Sequence, residues 1–185
     1  MSVCILNKNL EKGAVCGYSL PQIVDIYLAN YSDVTATTVA APADGTGVEV
    51  ATITMKESAK WYHIEPNKNS AGWSDNLQVG GSNNKYKAHS VNFAYSSAYD
   101  AGLVDTVDGL ALGRYLAVLK MADGSYIMLG RNVGLEASES DNITNTGSGD
   151  ATAEMGLSVT LTANTTESAL PLSEAAVATV LGVQA

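Results

Sequence analysis

The chain contains two histidines, His63 and His89, which are the first candidates for catalytic or metal-binding chemistry. Imidazole is the most frequent metal ligand and general base near neutral pH. The two residues lie on different predicted strands, so either site requires the fold to bring partners to them. No nucleophile–base pair and no metal-ligand spacing is visible around them, and we interpret both as structural.

Three other motifs have suitable residue types but unsuitable geometry. The motif Ser82-Asn83-Asn84-Lys85 matches Ser-x-x-Lys, in which a lysine one helical turn later activates the serine, but it follows two glycines in a predicted turn. The segment 141–150 is rich in oxygen ligands, but it lacks EF-hand spacing and has Thr152 where a bidentate glutamate belongs. The glycines of 147–149 have no lysine for phosphate. We therefore predict no catalytic residue, no cofactor and no metal.

Aromatic side chains and thiols allow two further interpretations. Trp61 and Trp73 could stack on a sugar ring, but we favour their burial in a core or interface. Cys4 and Cys16 could pair, yet one pair is not a disulfide framework, and reduced thiols are favoured. The sequence shows neither a signal-peptide core nor a membrane-spanning run, so we expect a protein made in a cytoplasm.

Charge is low and unevenly distributed along the chain. Charged residues make up 16% of the sequence and the net charge is −9, with no lysine or arginine after Arg131. An acidic surface repels phosphate, which argues against tight or sequence-specific nucleic-acid binding. It is compatible with a surface that nucleic acid passes without sticking.

The first half of the chain predicts a β-meander. Strands are predicted at 21–29, 48–55, 60–64, from Asn76 and at 85–95, and a slip in alternation near 51–53 indicates a β-bulge. The segments near 34–47 and 67–84 are predicted as long loops or arms.

The second half predicts a central helix at about 97–112 and then more strands. Ser97 and Asp100 fit a capping box, and apolar residues recur at helical spacing before Gly113. In 112–136, two apolar strands flank Ala122-Asp123-Gly124, a strong hairpin signal. A further strand is predicted at 134–140, a cleanly alternating one at 156–163, and a short apolar helix needing a docking surface at 173–182. The whole predicts one mainly β domain over 1–185, a sandwich or barrel-like fold.

The order of these elements resembles the tail tube (major tail) proteins of long-tailed bacteriophages. The resemblance rests on the meander, the single helix, the Asp-Gly hairpin, and the segments LGRNVGLEA, TGSGD, GLSVTLTA and LPL, and on Cys16-Gly17 before IVDIYLANYSDV. It departs from the family pattern at AEMG, residues 153–156, where an Asp and a Gly-aromatic turn are expected. It implies a subunit of which six close a ring around a continuous β-barrel, with rings stacked into a tube.

The resemblance also implies partners and a location. The chain would assemble with itself and with sheath or terminator, baseplate and tape-measure proteins, in the host cytoplasm, and end in the virion tail. DNA would pass transiently, and no membrane would be bound. Screening limits charge effects to about 8 Å, so acids must lie in the lumen wall itself, and Asp123, Glu136 and Glu139 are the candidate lumen acids. The alternative is a β-sandwich binding module, such as a virion decoration or carbohydrate-binding protein. An enzyme is not expected.

Overall fold

The computed structural model describes residues 22–43, 45, 47–96, 101–139, 143–146 and 156–182. Within these ranges the protein is mainly β, as predicted, with two α-helices, α1 (Ala101–Leu112) and α2 (Glu174–Gly182), and a 3-10 turn at Tyr31–Asp33. The strands of these ranges are β1 (Ile23–Asn30), β2 (Val34–Ala40), β3 (Glu49–Met55), β4 (Tyr62–Ile64), β5 (Gly72–Val79), β6 (Lys85–Tyr95), β7 (Tyr115–Met121), β8 (Tyr126–Leu129), β9 (Ile143–Thr146), β10 (Gly156–Thr165) and β11 (Leu170–Pro171).

The strands form three antiparallel sheets. A five-stranded sheet has the order β11-β8-β7-β1-β4, a four-stranded sheet has the order β5-β6-β10-β9, and β2 and β3 form a separate hairpin. None of the described helices is long and apolar enough to cross a membrane.

The five-stranded sheet is covered on both faces. One face packs against the four-stranded sheet and α1 through a first core that includes Ile26, Leu28, Leu119, Val91, Phe93, Leu103, Leu110, Val159 and Leu161. The other face packs against β3 and α2 through a second core that includes Tyr27, Leu116, Val118, Val50, Trp61, Ala176 and Val180. This double coverage explains why the stretch of β7 from Tyr115 to Leu119 is apolar and buried at every position. The docking surface expected for the C-terminal helix is this second core.

The segment predicted as an arm near 34–47 begins with a strand. Residues Val34–Ala40 pair with β3, and the register skips Ala51, because Thr38 lies opposite Thr52 while Val39 lies opposite Val50. The bulge predicted near 51–53 is therefore present. In the other predicted arm, 67–84, β5 begins at Gly72, four residues before the expected start at Asn76.

The hairpin of β7 and β8 turns as predicted at Ala122-Asp123-Gly124. Gly124 has φ +87°, which a glycine adopts without steric cost, and its N–H donates to the Met121 carbonyl. The strand predicted at 134–140 is wrong for the described residues. Only isolated bridges form there, from Leu135 to Tyr115 and from Glu136 to Thr162.

Helix α1 is described from Ala101, so the proposed cap at Ser97 and Asp100 lies outside the described residues. Its C-terminal end is held by Tyr115, whose hydroxyl donates to the Gly109 carbonyl. A Cβ at position 113 would lie 2.2 Å from that hydroxyl oxygen, which explains why glycine follows the helix.

Candidate functional site

The most extensive candidate site is the outward face of the four-stranded sheet, which we call the polar face. Its side chains alternate with the core residues of β6 and β10, and the strand registers place them side by side. They comprise Ser74, Asn76, Gln78, Tyr86, Ala88, Ser90, Asn92, Ala94, Thr144, Ser158, Thr160, Thr162 and Asn164. No charged residue is among them. The face is therefore hydrophilic but offers no cation to a phosphate.

Both edges of this sheet are open within the described residues. No described strand pairs with the outer side of β5 or of β9. β5 is eight residues long and contains no proline, lysine or bulge, and its one edge-protecting device is the inward-facing charge of Asp75. Near its end, Leu77 and Val79 are 59% and 58% exposed. The outer side of β5 therefore exposes unpaired backbone N–H and C=O groups to whatever lies beyond the described residues.

The three candidate lumen acids lie in different places. Glu136 exchanges two backbone hydrogen bonds with Thr162 of β10, and its carboxylate pairs with Arg114 at 3.0 Å. Glu139 is exposed and follows Ser138, whose hydroxyl lies 2.8 Å from that of Thr162. These two acids are thus at the margin of the polar face.

Asp123 belongs to the other sheet. It lies in the β7–β8 turn, where its carboxylate accepts hydrogen bonds from the hydroxyl and the backbone N–H of Ser125. These bonds hold the pKa of Asp123 below its usual value. Its local role is to fix the turn.

His89 is buried inside the four-stranded sheet, beside Asp75 of the edge strand. Its Nε2 lies 3.7 Å from Asp75 Oδ1, and both atoms are buried without a hydrogen bond, while Lys87 Nζ lies 3.3 Å from the same oxygen. Desolvation lowers the pKa of His89, and it outweighs the opposing effect of Asp75. A neutral imidazole in this position agrees with the structural interpretation.

Arg131 joins the segment after the β7–β8 hairpin to the segment after β10. Arg131 makes a two-pronged ion pair with Glu167, with Nε 2.6 Å from Oε2, and donates to the Thr37 hydroxyl of β2. These contacts give Arg131, in the segment LGRNVGLEA, a structural role. The contact ties the β2–β3 hairpin to the five-stranded sheet.

His63 lies on the edge strand β4, opposite Tyr27 of β1. Its Nε2 is 2.9 Å from Asp25 Oδ1, and Lys120 Nζ is 2.9 Å from Asp25 Oδ2. Glu65 is close enough that one ligand atom from each of Asp25, His63 and Glu65 lies within 4.8 Å of the others. This group could not be predicted from the sequence, because the pairing of β1 with β4 carries no local signal.

This environment lowers the pKa of Asp25. Burial would raise it, but the hydrogen bonds from Lys120 and His63 outweigh burial and hold the pKa below 3.8. The carboxylate is therefore ionised across the physiological range. The ring of His63 stacks on Tyr27, with centroids 5.0 Å apart.

A cleft of about 640 Å³ opens between α1, β4 and the first core. Its wall is mostly apolar, with Leu28, Phe93 and Leu110, and the polar groups at it include Tyr62 and Glu65. Trp61 is fully buried in the second core, and Trp73 packs partly buried against the first. Trp61 is therefore buried, as we predicted, and cannot stack on a sugar. The exposed aromatic side chains at the cleft are Tyr62 and Tyr95.

The remaining motifs do not form a site within the described residues. The turn that holds Ser82 and Lys85 is closed by the Gly80 N–H donating to the Asn84 carbonyl, so the helical spacing needed for Ser-x-x-Lys is absent. The other motif residues lie outside the described residues, namely Cys4, Cys16, the glycines of 147–149 and the acidic ends of 141–150. Within the last segment, residues 143–146 form β9.

Comparison of the chain with known protein families, curated proteins and solved structures gives no match. The function is therefore inferred from the fold and from the surfaces described above.

Proposed function

We propose that the chain is a structural subunit that assembles with itself into stacked rings, forming a tube of the phage-tail type through which DNA passes. The observation that carries the proposal is the four-stranded sheet, with a face of uncharged polar residues and two edges that no described strand covers. An open edge on a free β domain invites pairing, and closure into a ring removes it.

The two edges favour a head-to-tail arrangement. β5 lies at one edge and β9 at the other, so pairing β5 of one copy with β9 of the next would extend the same sheet. Contacts between two different surfaces generate a ring when the rotation closes. Six copies would give a barrel of about 24 strands, roughly 50 Å across at the backbone. Such a barrel is wider than a DNA duplex.

The polar face has the chemistry that passage of DNA requires. Serine, threonine and asparagine keep the wall hydrated, and the absence of lysine and arginine leaves no phosphate contact to release counterions. The prediction is that the lumen wall itself carries acids. The polar face itself is uncharged, so within the screening length Glu136 and Glu139 would act only from its margin, and the paired Arg114 offsets the charge of Glu136.

In this proposal the β2–β3 hairpin and the end of the β5–β6 hairpin supply contacts between copies and between rings. The partners are further copies of the chain, with sheath or terminator, baseplate and tape-measure proteins at other surfaces. The location is the tail of a virion assembled in the host cytoplasm.

The alternative is a β-sandwich binding module. It is favoured by one observation, the cleft with Tyr62 and Tyr95 exposed at it. Such a module would remain monomeric and bind a glycan there.

Sedimentation velocity and negative-stain microscopy of the concentrated full-length protein test the proposal. The tube subunit gives rings or tubes of uniform diameter above a critical concentration. A protein that stays monomeric at several hundred micromolar, and whose cleft binds glycans, would contradict the proposal and support the alternative.

A further inference from the structure

The group formed by Asp25, His63 and Glu65 lies away from the polar face and serves no purpose in the tube proposal. Asp25 is on β1, His63 on β4, and Glu65 directly follows β4. Their side chains meet on the second-core face of the five-stranded sheet, because His63 lies opposite Tyr27 and Asp25 lies opposite Lys120.

We propose that this group is a zinc-binding site that fastens the edge strand β4 to β1. An imidazole and two carboxylate oxygens are three of the four ligands that a tetrahedral Zn²⁺ requires, and water supplies the fourth. Imidazole disfavours Mg²⁺ and Ca²⁺, which take oxygen ligands, and selects a transition-type ion.

The distances need only a small adjustment. Ligand atoms about 2.1 Å from a tetrahedral zinc lie roughly 3.4 Å from each other. His63 Nε2 and Asp25 Oδ1 are now 2.9 Å apart in a hydrogen bond, so they need to separate by about half an ångström. Glu65 is exposed and follows the strand, so its carboxylate can rotate toward them. In the present hydrogen bond Nε2 donates its proton to the carboxylate, which can only accept, so zinc binding at Nε2 requires that proton to move through solvent to Nδ1 or away from the ring.

Two neighbours pre-orient the ligands. Lys120 holds Asp25 by Oδ2, while Oδ1 faces His63, and outer hydrogen bonds of this kind hold ligating carboxylates in place. Tyr27 stacks against the His63 ring and fixes its plane. The lysine charge also repels the ion, so the net charge of −1 from Asp25, Glu65 and Lys120 points to moderate affinity.

The consequence of binding is local stabilisation of an edge. β4 pairs with β1 over only three residues, Tyr62 to Ile64. A metal that joins the two strands would protect those amides from exchange, because opening β4 would break the coordination.

The test uses the full-length, tag-free protein with Cys4→Ser and Cys16→Ser, so that no thiol supplies a zinc ligand. Calorimetric titration with Zn²⁺, Co²⁺ absorption and amide exchange are measured for this protein, for His63→Gln and for Glu65→Gln. Glu57→Gln, at an exposed turn outside the group, is the matched control. Circular dichroism verifies that each variant is folded, and Glu65→Gln, at an exposed site, provides a second test should His63→Gln misfold.

The expected result is one Zn²⁺ per chain, weakened at least tenfold in His63→Gln and in Glu65→Gln but unchanged in Glu57→Gln. The Co²⁺ form should show the strong visible bands of a tetrahedral site, and residues 62–64 should exchange more slowly with zinc. No binding at 1 mM Zn²⁺ by the folded protein, or equal binding by all variants, would overturn the proposal. Neither result bears on ring assembly.

Discussion

The exposed apolar pair at the end of β5 provides the sharpest test of assembly through the sheet edge. We predict that Leu77→Lys with Val79→Lys blocks assembly while leaving the folded subunit intact. Both side chains are more than half exposed in the isolated chain, so their replacement removes little existing burial. The free energy of unfolding should change by less than about 1 kcal/mol.

The magnitude follows from the area still to be covered. Fully burying an exposed leucine or valine contributes about 1.5–3 kcal/mol, so covering the remaining half of each side chain contributes about 1–1.5 kcal/mol. The pair together then contributes about 2–3 kcal/mol to each contact between copies. Losing it weakens each contact roughly 30- to 150-fold, and the new lysines add a desolvation cost.

The assay is sedimentation velocity over a concentration series, with thermal unfolding followed by circular dichroism. The matched control is Val104→Lys with Leu112→Lys, which adds the same charges at exposed positions of α1. Assembly should move to at least 30-fold higher concentration in the β5 variant and much less in the control. If the β5 variant assembled at the wild-type concentration, or if both variants were weakened equally, the edge would not be the contact.

Two further predictions concern stability. Trp61→Ala should destabilise the fold by about 3–5 kcal/mol in a denaturant titration, because Trp61 is fully buried in the second core; a loss below about 1 kcal/mol would mean that this core is misassigned. His89 has a lowered pKa in the folded protein, so the unfolded chain takes up a proton that the folded chain does not. Stability should therefore fall as pH drops below about 6.5 and level off below the folded pKa. If the stability of the wild type relative to His89→Gln did not decrease on acidification, this assignment would be contradicted.

Elements with local signals were predictable from sequence. The Asp-Gly turn between β7 and β8, the alternation of β6 and β10, and the serine before α2 depend on neighbouring residues alone, and the structure has each of them. The Ser173 hydroxyl, for example, accepts the Ala176 N–H, as an N-cap does. These elements account for much of both cores.

Elements whose partners are distant in sequence were not predictable. β2 reads VTATTVA and is exposed along most of its length, so it lacks the alternation that marks a half-buried strand. The group around His63 arises only because β4 pairs with β1 and β7 lies on the other side of β1. The polar residues of each strand could be predicted from the sequence. That the polar face carries no charge could not, because this depends on the strand register that puts Lys85 and Lys87 on the opposite face.

The central claim is that copies pair head to tail through β5 and β9. Cross-linking tests it directly with two single-cysteine proteins, Asn76→Cys on β5 and Thr144→Cys on β9, each lacking the native cysteines and treated with a short bis-maleimide. We expect cross-linked dimers when the two proteins are mixed, and none when either is treated alone. Cross-linking of Asn76→Cys with itself alone, or no cross-linking in the mixture, would contradict it.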